Sequence, residues 1–125
     1  QEKGPLTDQA YLDALAKCQR LSREEGIDAV LNTKQLDALI APTTSPAWPI
    51  DLVNGDHFGL SSSTPAAVAG YATITVPAGF VYGLPVGVSF IGKKFGEGAL
   101  LKFAYAFEQA TKHRRAPKFA ASAEM

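Results

Sequence analysis

"TPAAVAGYATITVPAG", residues 64–79, concentrates alanine, glycine and β-branched residues between two prolines. Thr64 suits a helix N-cap and Pro65 the first helical turn, so Ala66 to Ala69 read as a short helix of small residues ended by Gly70. "TITV" (73–76) alternates hydroxyl and aliphatic side chains, as a strand with two unlike faces does, and Pro77 is expected to stop it. Small side chains let backbones approach closely, so the stretch predicts a tightly buried helix-to-strand unit. Its hydroxyls have ordinary reactivity, and nothing in it is a base or a metal ligand.

The neighbouring segments extend this unit into a sheet. "VGVSFIG" (86–92) reads as another strand, with Gly87 marking a close backbone approach. The connection from 76 to 86 is too short for a parallel crossover, so these two strands are expected to pair antiparallel. "LDALIAP" (36–42) is an apolar run closed by proline, the form of a buried strand. The path from 41 to 73 is long enough for a right-handed crossover, which predicts a parallel pair there and a mixed sheet overall.

Helices flank the strands. Thr7 is the expected N-cap of the first, with Asp8 in its first turn. Tyr11, Leu12, Leu15, Cys18 and Leu21 recur at helical spacing, which places Cys18 in the core as a small apolar residue. Gly26 is expected to end this helix in a left-handed conformation, and Asp28 to cap a short helix through about Gln35. Glu97 opens the last helix, with Leu100, Phe103, Ala104 and Phe107 on one face. Lys112, His113, Arg114 and Arg115 at its far end complement the macrodipole. The tail beyond Pro117 is expected to fray. The fold class is therefore α/β, with about three strands, two long helices and shorter ones.

Composition bounds the function. The chain has 125 residues, 12 Lys plus Arg and 12 Asp plus Glu, for a formal net charge of zero. That is one domain's worth of chain, and it offers no broad electrostatic attraction for nucleic acid or an anionic membrane. No apolar run approaches the roughly 20 residues of a membrane span. The N-terminus lacks signal-peptide form. A single cysteine excludes an internal disulfide framework and leaves cytoplasm and periplasm both open.

"TTSPAWPIDLVNGDHFGLSSS" (43–63) carries no sustained period, yet Trp48, Ile50, Leu52, Val53 and Phe58 make it too apolar for disorder. It reads as an ordered loop lying over a surface or cleft. Asp56, His57 and Ser61 to Ser63 invite a Ser-His-Asp reading, but neighbours this close in sequence rarely adopt that geometry, and no G-x-S-x-G turn is present. They are read as turn and capping residues. His57 and His113 lack metal-ligand spacing, and "GKKFGEG" (92–98) lacks phosphate-loop order. The residues alone contain no self-sufficient catalytic centre.

"LDALIAPTTSPAWPID" (36–51), followed by "STPAAVAGYATITVPAGFVYGLPVGVSFIGKKFGEGALLKFAYAFEQAT" (63–111), resembles the C-terminal portion of amidase-signature hydrolases, peptide-amidase-type members in particular. The resemblance runs from about Leu6 to Pro117, and Ala72 departs from it where the family usually has proline. It implies an α/β/α sandwich around a mixed sheet, hydrolysing small-molecule or peptide amides without a metal or cofactor. The family's Ser–cis-Ser–Lys set lies upstream of the part resembled. On this reading residues 1–125 form a C-terminal segment of the domain, inactive alone, whose first partner is the N-terminal remainder of the same chain. In open α/β sheets ligands sit outside the carboxyl ends of strands. Thr43, Thr44 and Ser45 follow the first strand there, Trp48 offers an apolar wall, and Thr64 presents a hydroxyl at a helix N-terminus. These five are the expected substrate-side residues, with no catalytic residue and no metal ligand among them. An amidotransferase component of the same fold and a non-catalytic binding module are the alternatives. The isolated segment is expected to self-associate through an uncovered edge or apolar face, with the 100–107 helix face or the Trp48 loop in the contact.

Overall fold

The computed structural model describes residues 4–119. The expected fraying of the tail falls largely on residues 120–125, outside the described residues. In chain order the elements are α1 (Gln9–Ser22), a π-helical turn (Arg23–Ile27), α2 (Asp28–Thr33), β1 (Leu39–Pro42), α3 (Ser63–Ala69), β2 (Thr73–Val81), β3 (Leu84–Ile91) and α4 (Glu97–Thr111). Among the described residues no helix is long and apolar enough to cross a membrane.

Several boundaries differ from expectation; α2, for example, has Ile27 rather than Asp28 at its N-cap position and ends at Thr33. The first helix is capped by Asp8 rather than Thr7: Asp8 is extended, and its carbonyl accepts the Tyr11 and Leu12 amides at 3.0 Å. Gly26 does not adopt a left-handed stop but φ −108°, ψ −107°, so the chain kinks there and continues into α2. A Cβ at that position would lie 2.7 Å from the Leu21 carbonyl oxygen, so close approach is what demands glycine. Pro77 does not end its strand. β2 continues to Val81 through a bulge between Pro77 and Gly79, and it lies at an edge of the described sheet, where proline is tolerated.

The strand order is β1-β3-β2, and both pairings are antiparallel. The β2–β3 hairpin is as expected, whereas the predicted parallel β1–β2 pair is corrected. β1 and β2 do run in the same direction, but β3 sits between them, with Ser89 opposite both Ala41 and Thr75. β3 already follows β2 by a tight turn, so it occupies the edge that a direct crossover pair would have used. Both strand pairings of this segment are consequently antiparallel, in place of the expected mixed sheet.

Alternation along β3 assigns the helices to two layers. Ile91 joins Ile27, Leu31, Ala66 and Ala69 in a buried cluster, with Leu39 and Tyr71 packed against it. On the other face the Phe90 ring meets Phe103 and Phe107 of α4 at centroid distances of 6.5 and 6.0 Å. Helices thus cover both sides, and the segment is an α/β/α stack. The stretch expected to be tightly buried is buried on one side only: Ala66 and Ala69 are buried at the α3 contact, whereas Thr64, Pro65, Ala67, Val68, Thr73 and Thr75 are exposed, and Gly70 closes the helix in a left-handed conformation, φ 67°.

The two apolar helix faces exchange roles relative to expectation. Leu100 and Ala104 are buried, and Phe103 and Phe107 are half-buried, so the 100–107 face is an internal contact between layers. The α1 stripe has no buried residue, and Tyr11, Leu12, Leu15 and Leu21 each keep about 40 % exposure or more. Cys18 on that helix is exposed, not a core residue. An amphipathic period marks a face that can be buried, and the neighbour that would bury it is a separate requirement.

A polar clasp joins the helical limb to α3. Arg23 Nε donates to the Ala69 carbonyl at 2.6 Å, satisfying a free helix-end acceptor, and its guanidinium lies 5.9 Å from the Tyr71 ring centroid. Tyr71 Oη donates to Asp28 Oδ2 at 2.6 Å. Burial, reinforced by this bond to a carboxylate, raises the Tyr71 pKa above its ordinary value. A phenol with a raised folded-state pKa contributes fully below its unfolded value, about 10, and that contribution is lost as pH climbs through the folded value. Thermal stability should therefore hold from neutrality to about pH 10 and fall above it. Melting curves of Tyr71→Phe should lack that alkaline component and show a loss of about 1 kcal/mol at neutral pH.

Candidate functional site

The segment that follows β1 is closed by its own stem. Thr43 N donates to the Gly87 carbonyl at 2.9 Å, extending the β1–β3 ladder by one residue. Ser62 N then donates to the Thr43 carbonyl at 3.2 Å, Thr44 bridges Ser61, and Ser45 N donates to the Leu60 carbonyl at 3.2 Å. Residues 46–59 therefore form a compact loop with adjacent ends, of the kind that often carries function.

Inside the loop Asp51 organises a turn. Its Oδ1 accepts the backbone amides of Val53 and Asn54, each at 2.9 Å, and Oδ2 accepts Asn54 Nδ2 at 2.9 Å. Trp48 meets Phe58 edge to face, centroids 6.2 Å apart, and its Nε1 donates to Asp56 Oδ1 at 3.4 Å. The loop is expected to lie over a surface or cleft, but its tip covers nothing among the described residues: Ile50, Leu52 and Val53 are 86 %, 95 % and 90 % exposed.

Alternation at the strand end divides the expected substrate-side residues. Thr43 turns toward the α3 side of the sheet, where its Oγ1 lies 2.8 Å from Ser89 Oγ. Thr44 and Ser45 instead line an open, mostly apolar groove of about 600 Å³ with Leu60, Ala78, Val86 and Val88. Thr44 Oγ1 donates to the Leu60 carbonyl at 2.8 Å, while Ser45 Oγ is buried without a partner among the described residues. Trp48 and Thr64 do not line that groove. Thr64 is exposed in the first turn of α3, and Ser62 takes the N-cap position instead because the stem delivers the chain there. Five residues expected together thus occupy four places.

The loop polar residues do not assemble into a triad. The imidazole of His57 meets Asp51 at 3.3 Å rather than Asp56, and Ser61 and Ser63 hydrogen-bond each other at 3.0 Å. Among the described residues no three of His, Cys, Asp and Glu converge as a metal site. Ser89 and Thr75, which hydrogen-bond at the Thr43 end of the sheet, are not among the expected residues there. The hydroxyl–aliphatic alternation of "TITV" was the available signal, because it places Thr75 on the same face as Ser89.

The Asn54 backbone amide, then its side chain and the Val53 amide, hold the Asp51 pKa well below the ordinary carboxylate range. A depressed carboxylate contributes above its unfolded pKa, about 3.9, and the contribution is lost as pH falls through the lower folded value. The turn should persist through ordinary carboxylate titration and loosen only at more acid pH. Trp48 fluorescence followed during acid titration checks this, and Asp51→Ala should show the loosened signal already at neutral pH.

Comparison with known proteins places this geometry. A family model described as Amidase matches residues 2–101. A glutamyl-tRNA(Gln) amidotransferase component of Desulforudis audaxviator is 40 % identical over 117 residues, covering 86 % of this chain and 22 % of the relative. The crystal structure of a peptide amidase, PAM, in complex with the competitive inhibitor chymostatin superposes with TM-score 0.89 at 50 % identity, covering 94 % of this chain and 24 % of that one. The native peptide amidase of Stenotrophomonas maltophilia gives TM-score 0.85 at 47 % identity, with 95 % and 24 % covered. The chain spans less than a quarter of the length of these relatives. Over that span it resembles them in both fold and sequence, and it belongs to the amidase-signature family.

Proposed function

We propose that this chain is the C-terminal part of an amidase that hydrolyses peptide or carboxylic amides, through a Ser–Ser–Lys set contributed by residues outside the segment. The similarity to peptide amidase PAM, at 50 % identity and TM-score 0.89, carries this reading. In it the segment supplies sheet strands, the α4 layer and part of the substrate wall. Thr44 and Ser45 line the groove at the carboxyl end of β1 and Trp48 stands on the loop beyond, whereas Thr43 faces the α3 side of the sheet and Thr64 stands in the first turn of α3, both outside the groove. An amidotransferase component is the second reading, supported by the 40 % identity to the glutamyl-tRNA(Gln) amidotransferase relative. The lower identity ranks it second. The two part on the fate of ammonia: a hydrolase releases it to water, and an amidotransferase passes it to an acyl acceptor.

In the intact protein, Trp48→Ala should raise KM for a peptide amide by more than it lowers kcat, because a wall residue binds ground and transition states alike. Steady-state ammonia release measures both constants. A pure loss of kcat would instead place Trp48 among the groups that organise catalysis.

As an isolated object, the 125-residue chain should self-associate and release no ammonia from peptide amides. The uncovered α1 stripe and the outer β1 edge, with Ile40 61 % exposed, are the surfaces that drive this. Light scattering should show species larger than a monomer, and the double variant Leu12→Glu, Leu15→Glu should reduce them. A dilution-independent monomer that unfolds cooperatively would favour a self-contained binding module.

A further inference from the structure

The α3 side of the sheet changes character along its length. At one end Leu39 and Ile91 pack with the core cluster. Farther along, the same face presents Thr75 and Ser89, and Thr43 joins them where the ladder ends. Ser89 is only 4 % exposed, and it is the one fully buried polar residue among the described residues. Its Oγ lies 2.8 Å from Thr43 Oγ1 and 2.9 Å from Thr75 Oγ1, and Thr43 Oγ1 donates weakly to Thr75 Oγ1 at 3.5 Å.

Three hydroxyls bring three protons to these three links. With Thr43 donating to Thr75, Thr75 to Ser89 and Ser89 to Thr43, every proton has an acceptor and the ring closes on itself. Gly87 makes room for it: a Cβ there would lie 2.8 Å from Thr75 Cγ2 and 2.9 Å from Thr43 Oγ1. Thr43 is also where the sheet passes into the loop stem. Its amide is held by Gly87, and its carbonyl accepts the Ser62 amide at 3.2 Å and, at 3.4 Å, the Ser62 hydroxyl.

We infer that Thr43, Thr75 and Ser89 are positioning residues, whose hydroxyl ring pins the exit of β1 and thereby sets where Thr44 and Ser45 stand in the groove. Side-chain shape alone does not call for hydroxyls here, since valine would fill much the same space at position 43. A self-satisfied polar ring, with Ser89 buried, Thr43 half-buried and Thr75 at the exposed side, adds direction to the contact between strands. The inference rests on the reading of Thr44, Ser45 and Trp48 as substrate wall.

The test uses the intact protein with Thr43→Val, which keeps shape and removes the hydroxyl, and Thr43→Ser, which keeps the hydroxyl. Trp48→Ala serves as a reference for the wall. Thr43→Val should raise KM for a peptide amide about fivefold, the factor one ordinary hydrogen bond is worth, with kcat little changed. Thr43→Ser should restore KM. Hydrogen exchange at the Ser45 and Ser62 amides should quicken in Thr43→Val and return in Thr43→Ser. An unchanged KM in Thr43→Val alongside a raised KM in Trp48→Ala overturns the inference, and so does a lowered melting temperature with KM unmoved. If Trp48→Ala also leaves KM unchanged, the substrate-wall reading is what fails. Exchange then decides the ring alone: quickening at Ser45 and Ser62 upholds the pinning, and unaltered exchange overturns it.

Discussion

The backbone of β3 is hydrogen-bonded on both sides, to β1 along Leu39–Pro42 and to β2 along Thr73–Val81, and the rest of the segment is arranged around that double pairing. A central strand has no free row of amides or carbonyls, so the registers of both neighbours are fixed through it. Slipping either neighbour by one residue would send Leu39 or Val76 to the opposite layer, away from the side chains it packs with. The position of β3 also keeps β1 and β2 apart while letting them run in the same direction.

Alternation along that strand separates two environments. Phe90 faces α4 and forms an aromatic contact with Phe103 and Phe107, whereas Ile91 faces α2 and α3 in the aliphatic cluster. Farther along the α3 side the aliphatic character gives way to Ser89 and its two threonine partners. Polarity thus changes within a few residues of one strand. The change occurs where the chain leaves the sheet for the loop.

That loop is built from local chemistry more than from burial. Its stem is a short extension of the ladder, its turn is a carboxylate accepting successive amides, and its aromatic pair is Trp48 against Phe58. The hydrogen-bonded stem thus carries an exposed apolar tip, while Ser45 Oγ is buried beside the groove.

Much of the local structure was legible in the residues. Helical spacing located α1 and α4, the alternation of "TITV" located β2, and the short connection to "VGVSFIG" required an antiparallel hairpin. The motifs from "LDALIAP" to "GLPVGVSFIGK" carried the family resemblance, and the family match agrees with it. These features depend on near neighbours along the chain, whose sterics and hydrogen bonds a sequence states directly. The placement of β1 beside β3, the exposure of Cys18 and the α1 stripe, and the division of Thr43 from Thr44 and Ser45 depended on partners far away in sequence. Ser89 shows this most plainly: in the sequence it is one small residue in an apolar strand, and only the meeting of three strands gives it Thr43 and Thr75 as partners. Periodicity marks which face can be buried, but the tertiary structure decides what lies against it, because burial and hydrogen bonding are properties of pairs of surfaces.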